Sequence, residues 1–396
     1  MKKNTAIFIA AVAAIAIAAG GWGFLMLPSD NIHNDDTDGA GRPLAMPKDL
    51  SKGIVTIGGA DPLRLVSYFN MNDRVIQVDN GDVNDPKNGR AYSYAYDYTG
   101  LPHHGDNVLS NADVERIGEL NPSLVIVGAN VYSNYKNNVE ALAKRTSVVV
   151  LHNIPTDSMI WDNEYKLNDT FVKQLDMLGK ALGKEERAKE LREGMNKILS
   201  EIRELVSERT AKYGNTYVAG VTYQGSNPLN ATFPTYAPLM LIGANNVAHS
   251  SHSNSPKVLL TTEQVSNFKM DMVLLDPSSS DKIKVSQDVM KYLSMYDIPI
   301  YVTIPIVWDG TNYDCVLACA YYLSHLLYDS ISQEEAEKKI VGLFEFFYGT
   351  NGTDVLKKMT DFFIDKSKQN DVELPLMKKV KVVEIEGKYS FEEVMS

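Results

Sequence analysis

The chain reads twice over as short, β-branched apolar runs alternating with amphipathic stretches, and no other feature narrows its fold so far. In the first half, residues 53–59, 75–78, 124–127 and 147–151 have the composition of buried strands, and 62–69, 111–119 and 137–144 have helical spacing. In the second half, strands are expected at 216–222, 272–275 and 300–304, and a long helix at 313–328. A helix between successive strands returns the chain so that the strands run parallel, which makes each half an α/β lobe. Between the halves, Leu175, Leu178, Leu182, Leu191, Met195 and Ile202 recur at helical spacing. That pattern predicts one long helix, or two in near continuity around Gly183, and no flexible linker. The expected fold is therefore α/β, with two Rossmann-like lobes joined by a single long rigid helix. A ligand of such a fold lies in the crevice beyond the carboxyl ends of the strands.

The start of the chain adds a membrane element. Residues 6–27 are apolar without a charge, follow Lys2 and Lys3, and are long enough for a bilayer-spanning helix of about 20 residues. An N-terminal transmembrane anchor is expected. A cleaved signal peptide is the alternative, since Ala18, Ala19 and Gly20 suit a small-residue cleavage site. Either places the body on the extracellular or periplasmic face of the membrane, and the absence of a nearby cysteine excludes a lipid anchor. The expected organisation is a signal or anchor helix at 1–27, a flexible spacer at 28–50, an N-terminal lobe at 51–165, a connecting helix at 166–212 and a C-terminal lobe at 213–396. A formal net charge of −11 opposes attraction to phosphate backbones, so nucleic acid is not an expected partner. Cys315 and Cys319 fall on one face of an apolar helix, a geometry poor for a disulfide and too sparse for a metal site, and read as buried small hydrophobes.

Four ordered segments carry a resemblance. They are the opening strand and turn GIVTIGGADPLRLV; NADVERIGELNPSLVIV at 111–127; IGANNVA at 242–248 followed by LLTTEQVSNFKMDMVLLD at 259–276; and VWDGTNYDCVLACAYYLSHLL at 307–327. Together they resemble the periplasmic-binding proteins of ABC importers for iron-siderophores, cobalamin and haem, over residues 53 to about 347, with Ser123 where the family usually has Asp. The resemblance implies a monomeric extracellular binding protein that catalyses nothing, holds no cofactor of its own and hands its ligand to an ABC permease. It also implies that Glu115 and Glu263, one on each lobe, meet arginine pockets of that permease through charge-assisted pairs.

Aromatic rings bury much area at little entropic cost, so the tyrosine-rich loops are candidates for the ligand grip. Tyr92, Tyr94, Tyr96 and His104 lie in YSYAYDYTGLPHHGD before the Glu115 helix, Tyr132 follows the strand at 124–127, and Trp161 precedes the long helix. On the second lobe Tyr223, Tyr236 and Trp308 follow strands, and the resemblance places Tyr223 and Trp308 at pocket aromatics of the cobalamin-binding relative. Arg64 and Arg90 are the basic residues in the candidate loops, too few for a highly anionic ligand. A neutral or shielded iron chelate, siderophore-like, is therefore expected first, with a corrinoid or haem as alternatives. The histidines have no compact ligand spacing, so direct binding of a bare metal is not expected. A ligand-sensing receptor domain remains open as a function of another class. So does a metal-dependent hydrolase, although no G-x-S-x-G or H-E-x-x-H motif supports it.

Overall fold

In the first sheet, β1 (Ile54–Ile57), β2 (Val75–Asp79), β3 (His103–His104), β4 (Leu124–Val127) and β5 (Val148–Val150) run parallel in the order β3-β2-β1-β4-β5. Every residue of β1 and β4 is buried, as happens when both faces of a parallel sheet are covered. Side chains alternate between the faces: Val55, Ile57, Val125 and Val127 join Val114, Ile117 and Val139 in one core. Ile54, Leu124 and Ile126 join Leu63 and Val66 in the other. The first core is covered by α2 (Asn111–Leu120) and α3 (Ala129–Ala143), the second by α1 (Ala60–Tyr68). Helix α2 begins where Ser110 and Asp113 cap each other reciprocally. This computed structural model describes residues 36–84, 89–155, 159–221, 226–252, 257–308 and 310–394, and Thr37–Ser396 form one compact unit.

The second sheet has the order β12-β11-β10-β9-β6. Its parallel strands are β6 (Thr216–Ala219), β9 (Met272–Leu275) and β10 (Ile300–Val302), and a small separate ribbon pairs β7 (Ala231–Thr232) with β8 (Val258–Leu259). An antiparallel hairpin of β11 (Lys379–Ile385) and β12 (Lys388–Glu393), which the sequence pattern left unassigned, extends it.

The connection between the sheets corrects one expectation. Instead of one continuous helix over 166–212, α4 (Asp169–Leu182) ends at Gly183, whose φ of 61° is the left-handed C-cap that glycine supplies at no steric cost. The chain then doubles back as α5 (Glu185–Val206), with Asp176 3.0 Å from Arg192 and Asn196 Oδ1 accepting from Leu167 N at 2.8 Å. The chain passes to the second sheet through α5, 22 residues and about 33 Å long.

A second link lies at the back. Helix α6 (Gln287–Met295) packs on the second sheet, and α7 (Tyr313–Tyr328) is buried along all but one of its residues, as befits a helix apolar on every side. With α8 (Gln333–Tyr348) and α9 (Gly352–Lys368) it forms a layer that touches helical elements of both lobes, α1 and the turn at Tyr92–Ala95 on one side and Pro277–Val285 on the other. Asp314, fully buried, accepts from Tyr68 Oη of α1 at 2.8 Å and from Tyr348 Oη of α8. Tyr94 packs edge-on against Phe362 of α9, ring centroids 5.9 Å apart.

The expected spacer at 28–50 is also corrected over its described part. Asp38 is buried, accepts from Arg42 Nε at 2.9 Å and from Val150 N at 3.0 Å, and Gly39 N donates to Val150 O at 2.8 Å. Residues 37–43 thus cover the open edge of β5, which would otherwise present unpaired backbone groups. The expected anchor at 1–27 falls outside the described residues, and among those described no helix is long and apolar enough to cross a membrane.

Candidate ligand cleft

In the first sheet β2 lies on one side of β1 and β4 on the other, so the turns leaving β1 and β4 diverge and open a crevice. Gly58 sits there with φ 128°, and a Cβ on it would lie 2.8 Å from Gly128 N. Only glycine lets the two turns approach this closely. Asp79, at the end of β2, fixes the turns: its Oδ2 accepts from Gly58 N (2.8 Å) and Gly59 N (3.0 Å), and its Oδ1 from Asn107 N (3.1 Å).

Above these turns and facing the carboxyl ends of the second sheet lies a cleft of about 770 Å³. Its first-lobe wall is rich in amides and carboxylates, each just beyond a strand: Asn80 after β2, Asp106 after β3, Asn130 after β4 and Asn153 after β5. Phe171 and Gln174 of α4 also line it. The second-lobe wall includes Lys257, Ser278, Asp281, Trp308, Tyr313 and Lys366. Rings are few, and Phe171 meets Tyr313 edge-on at 5.1 Å.

Among the described residues four cationic side chains belong to these walls: Arg64, Arg90, Lys257 and Lys366. Arg64 is 1% exposed, ion-paired to Asp61, 5.0 Å from the Tyr313 ring centroid, and donates through Nη1 to Asn312 Oδ1 at 3.0 Å. Arg90 donates to Gly81 O at 2.7 Å and lies 3.6 Å from Asp82. Lys366 sits 5.5 Å above the Trp308 ring and Lys257 5.6 Å above Phe233. Just behind Ser278, burial pushes the Asp276 carboxyl up to about 6, against the opposing Ser278 hydrogen bonds and the charge of Lys366.

Of the residues expected to grip a ligand, the structure brings Trp308 to the cleft wall, on a turn closed by a bridge between Val307 and Thr311. The other described ones lie elsewhere. Tyr92 is fully buried and donates to Asp82 at 2.8 Å; Tyr94 is in the same core. Tyr96 is half-buried with its hydroxyl on Tyr348 O. Trp161 is 8% exposed in a bridge to Leu167, and Tyr236 is buried with Oη 3.5 Å from Cys319 Sγ. Tyr132 donates to Glu140 at 3.0 Å on the outer side of α3, beneath Arg42. His104 is buried beside Asp79, its Nδ1 3.2 Å from Gln77 Nε2. Tyr223 lies outside the described residues. Both cysteines are buried and free. Glu115 and Glu263 are exposed on the helices that carry them, and Glu115 is held bidentately by Arg145, both contacts 2.7 Å. Among the described residues no group of three or more His, Cys, Asp or Glu could hold a metal ion.

Comparison with known proteins agrees with this geometry. The model of a family described as periplasmic binding protein matches residues 90–292, just over half of the chain. The solved molybdate periplasmic binding protein MolA of a Haemophilus influenzae ABC transporter, bound to molybdate, is similar with a TM-score of 0.60 and 16% identity, over 80% of this chain and 98% of that one. A periplasmic solute binding protein from Veillonella parvula has a TM-score of 0.59 and 13% identity, over 85% and 97%. An ABC transporter solute binding protein from Sulfurospirillum deleyianum has 0.56 and 19%, over 83% and 99%. No curated protein matches the chain. At these identities the structural likeness is one of fold.

Proposed function

Because this chain belongs to the periplasmic binding protein family, we propose that it is the substrate-binding component of an ABC importer, outside the cell membrane and held there by its N-terminal segment or secreted. It captures an anionic, oxygen-rich iron chelate of the siderophore kind in the cleft between its lobes and passes it unchanged to a permease. The observation that carries the ligand class is that, among the described residues, Arg64, Arg90, Lys257 and Lys366 outnumber the carboxylates of Asp61, Asp106 and Asp281 in the walls of one cleft of about 770 Å³. Charged donors of this kind make strong, directional bonds to carboxylate and phenolate oxygens. The tyrosines that favoured a neutral or shielded complex are mostly in the core, which shifts the reading to an anionic one and weakens the case for a flat corrinoid or haem.

A bare oxyanion is the second reading, supported by the same four cations and by the molybdate held in the similar Haemophilus protein. Glu115 and Glu263, exposed on the two lobes, are the proposed permease contacts, and a docking arginine would have to displace or join Arg145 at Glu115. Calorimetric titration of the purified protein with ferric citrate, a neutral ferric trihydroxamate, haem, cyanocobalamin and molybdate tests the reading. Tightest binding of ferric citrate is expected. A preference for haem or cyanocobalamin would overturn the anionic reading, and a preference for molybdate would establish the second one.

A further inference from the structure

In the wall of the cleft and just behind it lie buried polar atoms with no hydrogen-bond partner among the described residues. Arg64 Nε, Gln174 Nε2 and Asn312 Nδ2 are each buried and make no hydrogen bond among the described residues. Arg64 and Gln174 line the cleft and are each 1% exposed, and Asn312 is fully buried against Arg64. The amide orientations are set by their other ends. Gln174 Oε1 accepts from His152 N at 2.7 Å, so its NH₂ is the end left over. Asn312 Oδ1 accepts from Arg64 Nη1 at 3.0 Å, with the same result. All three remaining valences are therefore donors. Buried donors are rarely left unmade, because their lost hydration is then not replaced.

We propose that Arg64 and Gln174, with Asn312 behind Arg64, form a subsite for a carboxylate of the ligand, so that the chelate enters with a carboxylate oriented toward Arg64 and Gln174. A carboxylate is acceptor-only and can take several N–H donors at once, whereas an ammonium group would face donors with donors. Selection here rests on donor polarity, because Asp61 already offsets much of the Arg64 charge. The subsite deepens the reading of the cleft as the ligand site and depends on it.

The test uses two isosteric variants, Gln174→Glu and Asn312→Asp. Each keeps the oxygen that accepts from His152 or Arg64 and turns the free donor into an acceptor, and a carboxylate at Asn312 suits the start of α7. Binding of ferric citrate to wild type and variants is measured calorimetrically at neutral pH and near pH 5, with melting of the unliganded proteins confirming that each is folded. At neutral pH each variant should bind at least about tenfold more weakly than wild type. Near pH 5 the ratio to wild type should recover for Gln174→Glu, because burial raises a carboxyl's pKa and the protonated group donates again. Wild-type affinity in both folded variants would overturn the subsite and leave the cleft reading standing. If wild type binds none of the anionic probes, the cleft reading falls and takes the subsite with it.

Discussion

Replacing Asp276 by asparagine should stabilise the protein increasingly as pH rises. Asp276 follows β9 with 2% of its surface exposed; its Oδ1 accepts from Ser278, and its Oδ2 is buried without a hydrogen-bond partner among the described residues. Burial is the largest influence on this carboxyl and pushes it from 3.8 up to about 6, with the Ser278 bonds and Lys366 opposing. An acid whose pKa is raised by folding binds its proton more tightly in the native state. Its favourable contribution is therefore present below the unfolded value and lost as pH climbs through about 4 to 6. Over that interval the ionised native state loses about 3 kcal/mol relative to the unfolded chain. Asparagine keeps the acceptor that Ser278 uses and cannot ionise. Whatever constant cost its amide brings, the stability difference between Asp276→Asn and wild type should grow by about 2.5 kcal/mol from about pH 4 to about pH 7.5. Urea unfolding of both proteins at each pH measures it. A difference that does not change with pH would show that Asp276 is hydrated or paired when ionised, and the reasoning would fail.

Trp308→Ala should weaken ligand binding by about 2 kcal/mol in calorimetric titration while melting of the unliganded protein barely moves, since the ring is at the cleft wall; a large fall in melting with intact affinity would make it a core residue. Tyr68→Phe removes a donor to buried Asp314 and should cost about 1.5–3 kcal/mol in urea unfolding, whereas an unmoved midpoint would mean that Tyr348 alone satisfies the carboxylate. Glu115→Ala and Glu263→Ala should leave ligand affinity unchanged and slow uptake by the reconstituted importer; loss of ligand binding by either folded variant would place that glutamate on the wrong face.

Much of the fold could be read locally because its strands are continuous apolar runs: 124–127 and 272–275 were expected and found with the same bounds. The break at Gly183 was visible as a glycine, but not the reversal, which depends on tertiary pairs such as Asp176 with Arg192. The site was less legible. Tyr92 and Tyr94 alternate with small residues and suggest a binding loop, yet they form one helical turn covered by α9, contributed from the far end of the chain. Gln174 carries no signal of its own in the sequence, being one polar residue among several on an amphipathic helix. The signal that would have found the first-lobe wall is simpler: Asn or Asp soon after each of β2 to β5, where a parallel sheet presents its carboxyl ends.

The helical layer at the back has a consequence for how the protein is made. The first sheet is complete once Val150 has emerged, yet its tyrosine core lacks its cover until Phe362 arrives, and Asp314 gains its Tyr348 partner only late as well. A nascent chain delivered from its N-terminus therefore carries an incomplete first lobe through most of its synthesis. Contacts so distant in sequence form slowly, and the uncovered aromatic surface is open to association in the meantime. The last-made helices act as the closing stitch for the first-made lobe, so the two halves should be released from any holding factor together.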